Sequence, residues 1–413
     1  MGVIKKIQDM KNEMTRWRQK LHQDPELAFE ERATARFITR QLQSFGIEVH
    51  GLTKTGVIGV LHGKNGPAAQ TGGKAIMLRA DMDALPIKEE TGVMHCSRNS
   101  GVHHACGHDG HMTMLLGAAK YLAQTRDFDG TVYFVFQPAE EHIGGANELI
   151  KAGLFKKFPC DEVYGLHNFP GIPLGVMASG AGPLLAASDE FHITFNGTGG
   201  HIARPENTTN IIAAAAEAAT AIKAAADKEI PAGEPALMIV ASINTDSQTT
   251  NVLPDSINLQ GSIRTFDTAL HDKLKKNLEQ IVNDTAAKYG ATATLEFKNS
   301  YPALINSKAE TAFALDIAKD IVGANRVISP VPRTLGIEDF AYYLHHKPGN
   351  FMCLGTGKAD GSAFADLHSA KYDFNDAALP IGASYWVKLV EKALPFFKAA
   401  APQAPKTPDA PKP

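Results

Sequence analysis

The period of the hydrophobic pattern changes near residue 186. Before it, short continuous apolar runs at 57–61, 75–80 and 131–136 are bounded by glycine, and helical stretches such as 112–123 separate some of them. Runs of this kind are strands buried on both faces, and strands alternating with helices imply an α/β layer with a central sheet. Residues 7–46 read as two helices, with apolar positions at helical spacing through Ile38, Leu42 and Phe45 and a stop at Gly46. After 186 the chain alternates polar and apolar over 189–196, as a half-exposed strand does. An alanine-rich helix (210–228), two strands (237–243 and 256–265), a helix (269–289) and a strand (293–298) follow. That β-α-β-β-α-β order is ferredoxin-like.

The expected architecture is therefore α/β: a discontinuous domain with a central mixed sheet (1–186 and 299–398) and an inserted α+β domain (187–298). The length, 413 residues, suits two domains better than one core. The stretch 399–413 is rich in proline and charge, buries no apolar area, and is expected to be disordered.

Charge excludes some partners. A net charge of −3 provides no field that would draw nucleic acid or an anionic membrane. No apolar run reaches the roughly 18–20 residues of a membrane span. The stretch beginning Met1-Gly2-Val3-Ile4-Lys5-Lys6 lacks the apolar core of a secretory signal, so the cytoplasm is the expected compartment. Cys96, Cys106, Cys160 and Cys353 show no paired spacing and form no disulfide framework. Three of them read as small buried hydrophobes, but Cys106 sits among histidines and glycines, which is poor core material.

The chemistry concentrates in a few places. His103-His104-Ala105-Cys106-Gly107-His108-Asp109-Gly110-His111 places four of the chain's 16 histidines within nine residues, beside a cysteine. A chance surface loop explains that clustering poorly, whereas a thiolate and imidazoles on a tight backbone suit a borderline-soft metal ion. Cys106 and His108, at alternate positions, can converge on one ion. The strand at 131–136 runs into Gln137-Pro138-Ala139-Glu140-Glu141, two adjacent carboxylates at a strand end, where α/β sheets place their sites. One can bind metal while the other takes a proton from water; alone, the pair would read equally well as an acidic helix start. Leu78-Arg79-Ala80-Asp81-Met82-Asp83 ends another strand in carboxylates, a place for groups that orient ligating histidines. His167 follows a short apolar run and His368 stands late in the chain. A single histidine is more often structural than ligating, and spacing alone does not promote either.

Taken in order, these motifs resemble the M20 metallopeptidase family, most closely its branch of N-acyl-amino-acid amidohydrolases. The resemblance runs from Arg18-Gln19-Lys20-Leu21-His22 to Leu367-His368-Ser369, nearly the whole chain. It implies a catalytic domain that binds two divalent metal ions (zinc, manganese, cobalt or nickel) and an inserted domain that forms a homodimer or a dimer of dimers. By position, Cys106, His108, Glu141, His167 and His368 resemble the branch's metal ligands, Glu140 its general base and Asp83 its orienting carboxylate. Asp81 stands where other branches carry a histidine ligand. His201, in Gly197-Thr198-Gly199-Gly200-His201, resembles a histidine that reaches across a dimer to polarise the scissile carbonyl. Asn251 and Arg264 match positions that bind substrate carboxylate or carbonyl; arginine's planar fork suits a carboxylate. Ile202-Ala203-Arg204-Pro205 and Ile337 depart from the branch and bear on the acyl group accepted.

The implied reaction cleaves a small-molecule N-acyl-amino acid, hippurate-like, into a carboxylic acid and a free amino acid through a metal-activated water. A dipeptidase or exopeptidase of the same family is the alternative within the enzyme class. A non-catalytic metal-dependent binding protein would lack a competent residue at the base or a ligand, and every matched position here is competent.

Overall fold

The computed structural model describes residues 2–141, 144–247, 249–360, 362 and 365–396. The proline-rich stretch expected to be disordered lies outside them.

The apolar runs form a sheet of eight strands. In spatial order they are Glu48–Leu52, Gly56–His62, Thr131–Gln137, Ala75–Asp81, Glu162–Pro173, Gly349–Gly357, Met177–Ala178 and Val327–Ile328. The four strands from Thr131–Gln137 to Gly349–Gly357 run parallel, and the pairs toward the first edge run antiparallel, so the sheet is mixed as expected. Alternation along Ala75–Asp81 explains why a seven-residue run can be wholly buried. Ile76, Leu78 and Ala80 enter the core under the helices Lys11–Gln23, His108–Thr125 and Leu379–Ala393. Ala75 and Met77 enter a second core on the opposite face.

The N-terminal region departs slightly from the expected two helices. A short helix, Lys5–Asp9, precedes Lys11–Gln23 and Arg32–Ser44. The second core-facing helix also starts earlier than its apolar stretch: His108–Thr125 begins inside the histidine motif itself.

After residue 186 come Ala187–Asn196, helix Ile211–Glu229, Leu237–Thr245, Ser256–Thr265, helix Thr268–Tyr289 and Thr292–Tyr301. The four long strands form one antiparallel sheet with Ala187–Asn196 and Ser256–Thr265 in the middle. The helix ends are fixed locally. Asn210 Oδ1 accepts the Ala213 N–H at 3.0 Å and Asp267 Oδ1 accepts the Leu270 N–H at 2.7 Å, which satisfies amides that have no partner inside the helix. Phe191, Ile193 and Phe195 pack with both helices in a core separate from the other two.

Candidate metal centre and active site

Parallel register decides where the site lies. Asp81 pairs level with Gln137, and Arg79 pairs with Gly165, which brings Asp81, Gln137 and His167 to one level at the carboxyl ends of three adjacent strands. The segments leaving those strands carry Asp83, Glu140 and Glu141.

Backbone constraints then aim the groups. Asp83 accepts the N–H of Glu140 at 3.0 Å on one carboxylate oxygen and that of Glu141 at 2.9 Å on the other. Ala139 has φ 56°, a sharp turn for a residue with a Cβ, and its N–H is held by Glu31 Oε1 at 2.9 Å. The turn makes neighbouring side chains diverge, with Glu141 toward Cys106 and His108 and Glu140 toward Glu338 and Asp339. Gly107 (φ 89°) must be glycine on two counts: a Cβ there would lie 2.4 Å from Asn168 Oδ1, and the left-handed conformation starts the helix at His108.

Cys106, His108 and Glu141 offer ligand atoms that all lie within 4.8 Å of one another. His167 Nε2 is 3.5 Å from Cys106 Sγ, and His368 Nε2 is 3.2 Å from Glu141 Oε1. The five residues singled out as ligands are thus contiguous. His108 Nδ1 meets the Asp83 carbonyl oxygen at 2.9 Å and His167 Nδ1 meets that of Asn168 at 2.8 Å. A carbonyl only accepts, so both rings carry a proton on Nδ1, which leaves Nε2 as the nitrogen that can ligate a metal. The Nε2 of His108 is buried with no hydrogen-bond partner. Asp83 orients His108 through its backbone oxygen, while its carboxylate holds the Glu140-Glu141 turn.

This donor set fits a divalent cation. Arg79 is fully buried and donates to Gln137 at 2.8 Å, Asp81 at 2.7 Å, Glu338 at 2.9 Å and Asp339 at 2.8 Å. One guanidinium does not balance buried Asp81, Asp83, Glu140, Glu141, Glu338 and Asp339. Burial, followed by the charges of Glu338 and Glu141, holds Glu140 well above the usual carboxylate range. Burial, then Glu141 and Glu140, pushes the Cys106 thiol well up. Burial opposes charge on His108 as well, yet Asp81 and Asp83 raise it to about 10. A nearby divalent cation inverts these preferences, favouring thiolate, carboxylate and neutral imidazole.

A cavity of about 480 Å³ opens on the centre, lined by Cys106, Glu140, Glu141, His167 and His368, with Arg264 reaching it from the antiparallel sheet. Phe169, Leu185, Ile337, Phe351 and Leu367 supply an apolar side. Arg264 Nη1 donates to the Leu335 carbonyl at 2.8 Å, which fixes its approach. His201 and Asn251 are not brought to this cavity. They lie exposed on a small ribbon in which Val252 pairs with His201. His104, expected outside the ligand set, is buried, and burial pushes it down to about 3.

Several site residues stood inside or beside the sequence motifs without being given a role: Arg79, His111, Asn168, Glu338 and Asp339. His111 Nδ1 lies 2.6 Å from Asp81, and Asn168 bonds its other nitrogen. The signal for Arg79 was present, since a charge inside a continuous apolar strand demands partners.

The sequence pattern of peptidase family M20/M25/M40 matches residues 77–392. The N-acetyl-L-cysteine deacetylase of Bacillus subtilis is 38% identical over 90% of this chain and 85% of its own length. The hippurate hydrolase of Campylobacter jejuni is 34% identical over 95% of this chain and 100% of its own. The crystal structure of the Bacillus subtilis YXEP protein, a dinuclear metal binding peptidase from M20 family, superposes with TM-score 0.77 at 29% identity, covering 94% of this chain and 99% of that one. The chain belongs to peptidase family M20/M25/M40, as a metal-dependent amidohydrolase.

Proposed function

We propose that this protein hydrolyses N-acyl-amino acids of the hippurate type to a carboxylic acid and a free amino acid. The observation that carries the reading is the meeting of a thiol–imidazole–carboxylate donor set, a separate buried carboxylate and an arginine in one half-apolar cavity.

Cys106, His108, Glu141, His167 and His368 would hold two divalent ions, zinc or manganese, with cobalt or nickel as other occupants. Bound there, such ions supply Lewis acidity and lower the pKa of water toward neutrality. Glu140, fixed through its backbone by Asp83, takes the proton of the attacking water and returns it to the leaving amine. Arg264 pairs with the substrate's α-carboxylate, and the apolar side of the cavity takes the acyl group. His201 and Asn251 act from a second copy of the chain, docked through residues 187–298, with His201 stabilising the developing oxyanion. A homodimer or a dimer of dimers follows. Besides a second copy of the chain, the partner is the small-molecule substrate, with no nucleic acid or membrane. The unpaired cysteines suit a reducing cytoplasm, where Cys106 keeps its thiol.

Glu140→Gln is the direct test: turnover of benzoyl-glycine should fall by about 10²-fold or more while bound metal is unchanged. Near-normal turnover removes Glu140 from the base role. Assayed side by side, benzoyl-glycine should be cleaved in preference to glycyl dipeptides; the reverse order replaces the acyl reading with a dipeptidase.

A further inference from the structure

A second nest of buried ligand-type side chains lies outside the set just described. It is formed by His22 at the end of the helix Lys11–Gln23, Glu89 on the loop after the strand Ala75–Asp81, and His103 ahead of the helix His108–Thr125. Their ligand atoms all lie within 4.8 Å of one another, and they share no residue with the Cys106 set. We propose that His22 Nε2, Glu89 Oε1 and His103 Nε2 form a further divalent-cation site, of the zinc class and structural in role.

Hydrogen-bond accounting leads there. His22 faces a carboxylate on each side: Nδ1 lies 2.7 Å from Asp109 Oδ2 and Nε2 lies 3.2 Å from Glu89 Oε1. A neutral ring has one proton, so one of these contacts needs either a second proton or a cation. His103 decides between them. It is wholly buried, neither of its ring nitrogens has a hydrogen-bond partner, and Nε2 stands 3.9 Å from the same Glu89 oxygen. A doubly protonated His22 satisfies Glu89 and leaves the His103 nitrogen with nothing. A cation among the three pairs with both Nε2 atoms and with Glu89 Oε1 at once.

The geometry is compatible. Tetrahedral zinc with nitrogen and oxygen ligands places donor atoms about 3.3 Å apart, close to the 3.2 and 3.9 Å seen here. Two of the ligands are held by their side chains and the third by its backbone. Asp109 fixes His22. The Thr91 hydroxyl and the Ser97 N–H, the latter at 2.6 Å, fix Glu89. Leu85 and His103 exchange backbone hydrogen bonds of 3.0 Å each, which fixes the main chain at His103. The partners behind His22 and Glu89 are what ligating groups require. A cation here would pin an N-terminal helix and two loops beside the segment that carries Cys106 and His108.

The test counts metal. The full chain is stripped with a chelator, reloaded with zinc and dialysed, and its zinc is measured by mass spectrometry. His103→Met, similar in size and suited to burial, should retain one zinc per chain fewer than the unmodified protein, and so should Glu89→Gln. Reloaded with cobalt, His103→Met should keep the thiolate-to-cobalt absorption of the Cys106 set. Zinc should also raise the melting midpoint of Cys106→Ser by more than that of Cys106→Ser combined with His103→Met, which keeps the question answerable if one variant folds poorly. Equal zinc in the unmodified protein and His103→Met overturns the site, and loss by only one of the two variants overturns the three-ligand assignment. Neither result touches the hydrolase reading, which Glu140→Gln tests separately.

Discussion

Arg79 is the residue on which the most buried charge depends. Its guanidinium contacts Asp81, Glu338 and Asp339 inside the protein, at a position 2% exposed. Arg79→Met keeps the volume and removes the charge, stranding three carboxylates in the interior. Breaking a buried ion pair costs about 3–5 kcal/mol, so denaturant titration should show a loss of at least that size. A change under about 1 kcal/mol would mean that water reaches these groups. Asp83 acts differently, because its carboxylate binds backbone amides. Asp83→Ala should lower metal affinity and turnover together by about 10- to 100-fold, read by metal titration and by assay.

Among the elements, the turn at Gly107 joins the thiol to the helix that carries His108. Gly107→Ala forces φ 89° on a residue with a Cβ and drives that Cβ into Asn168 and Tyr372. Strain of this kind costs about 1–3 kcal/mol, and the chain should relieve it by moving the helix start. The expected result is a lower melting midpoint with loss of bound metal, where a surface turn would lose stability alone. In the antiparallel sheet, Asp189 is held by His271 at 2.9 Å, by Lys275 and by Ser300. Burial opposes its charge, but His271 and Lys275 outweigh it and lower the pKa from 3.8 to about 2. Because the folded value lies below the unfolded one, Asp189 stabilises the fold fully above about pH 4 and loses that contribution as pH falls toward 2. Asp189→Asn should flatten this part of a melting curve taken against pH.

The two element patterns were legible for different reasons. Strands buried on both faces leave continuous apolar runs, and half-exposed strands leave alternation, so both kinds were visible without coordinates. The start of the helix at His108 was not, because four buried residues at its beginning show no amphipathic period.

For the whole molecule, the place of His201 calls for a second copy of the chain. In a single chain it lies exposed and apart from the cavity that holds Glu140 and Arg264. If a second copy supplies it, two inactive variants should complement each other. In a mixed dimer of Glu140→Gln and His201→Ala, one of the two sites has both groups intact, so mixing should restore about a quarter of full activity. No recovery on mixing would place His201 outside the reaction or within its own subunit. Sedimentation should show the dimer directly.

The sequence by itself determined the family, the change of texture near 186 and the set of ligand-type residues, because those rest on residue identity and short-range period. Tertiary structure alone decided how those residues meet. Parallel register set Asp81, Gln137 and His167 level. Folding brought Glu338 and Asp339 some 260 positions along the chain to Arg79, and it placed His22, Glu89 and His103 around one buried point. None of these contacts leaves a local trace, since a buried charge is stabilised by whichever partner the fold delivers and not by its neighbours in the chain.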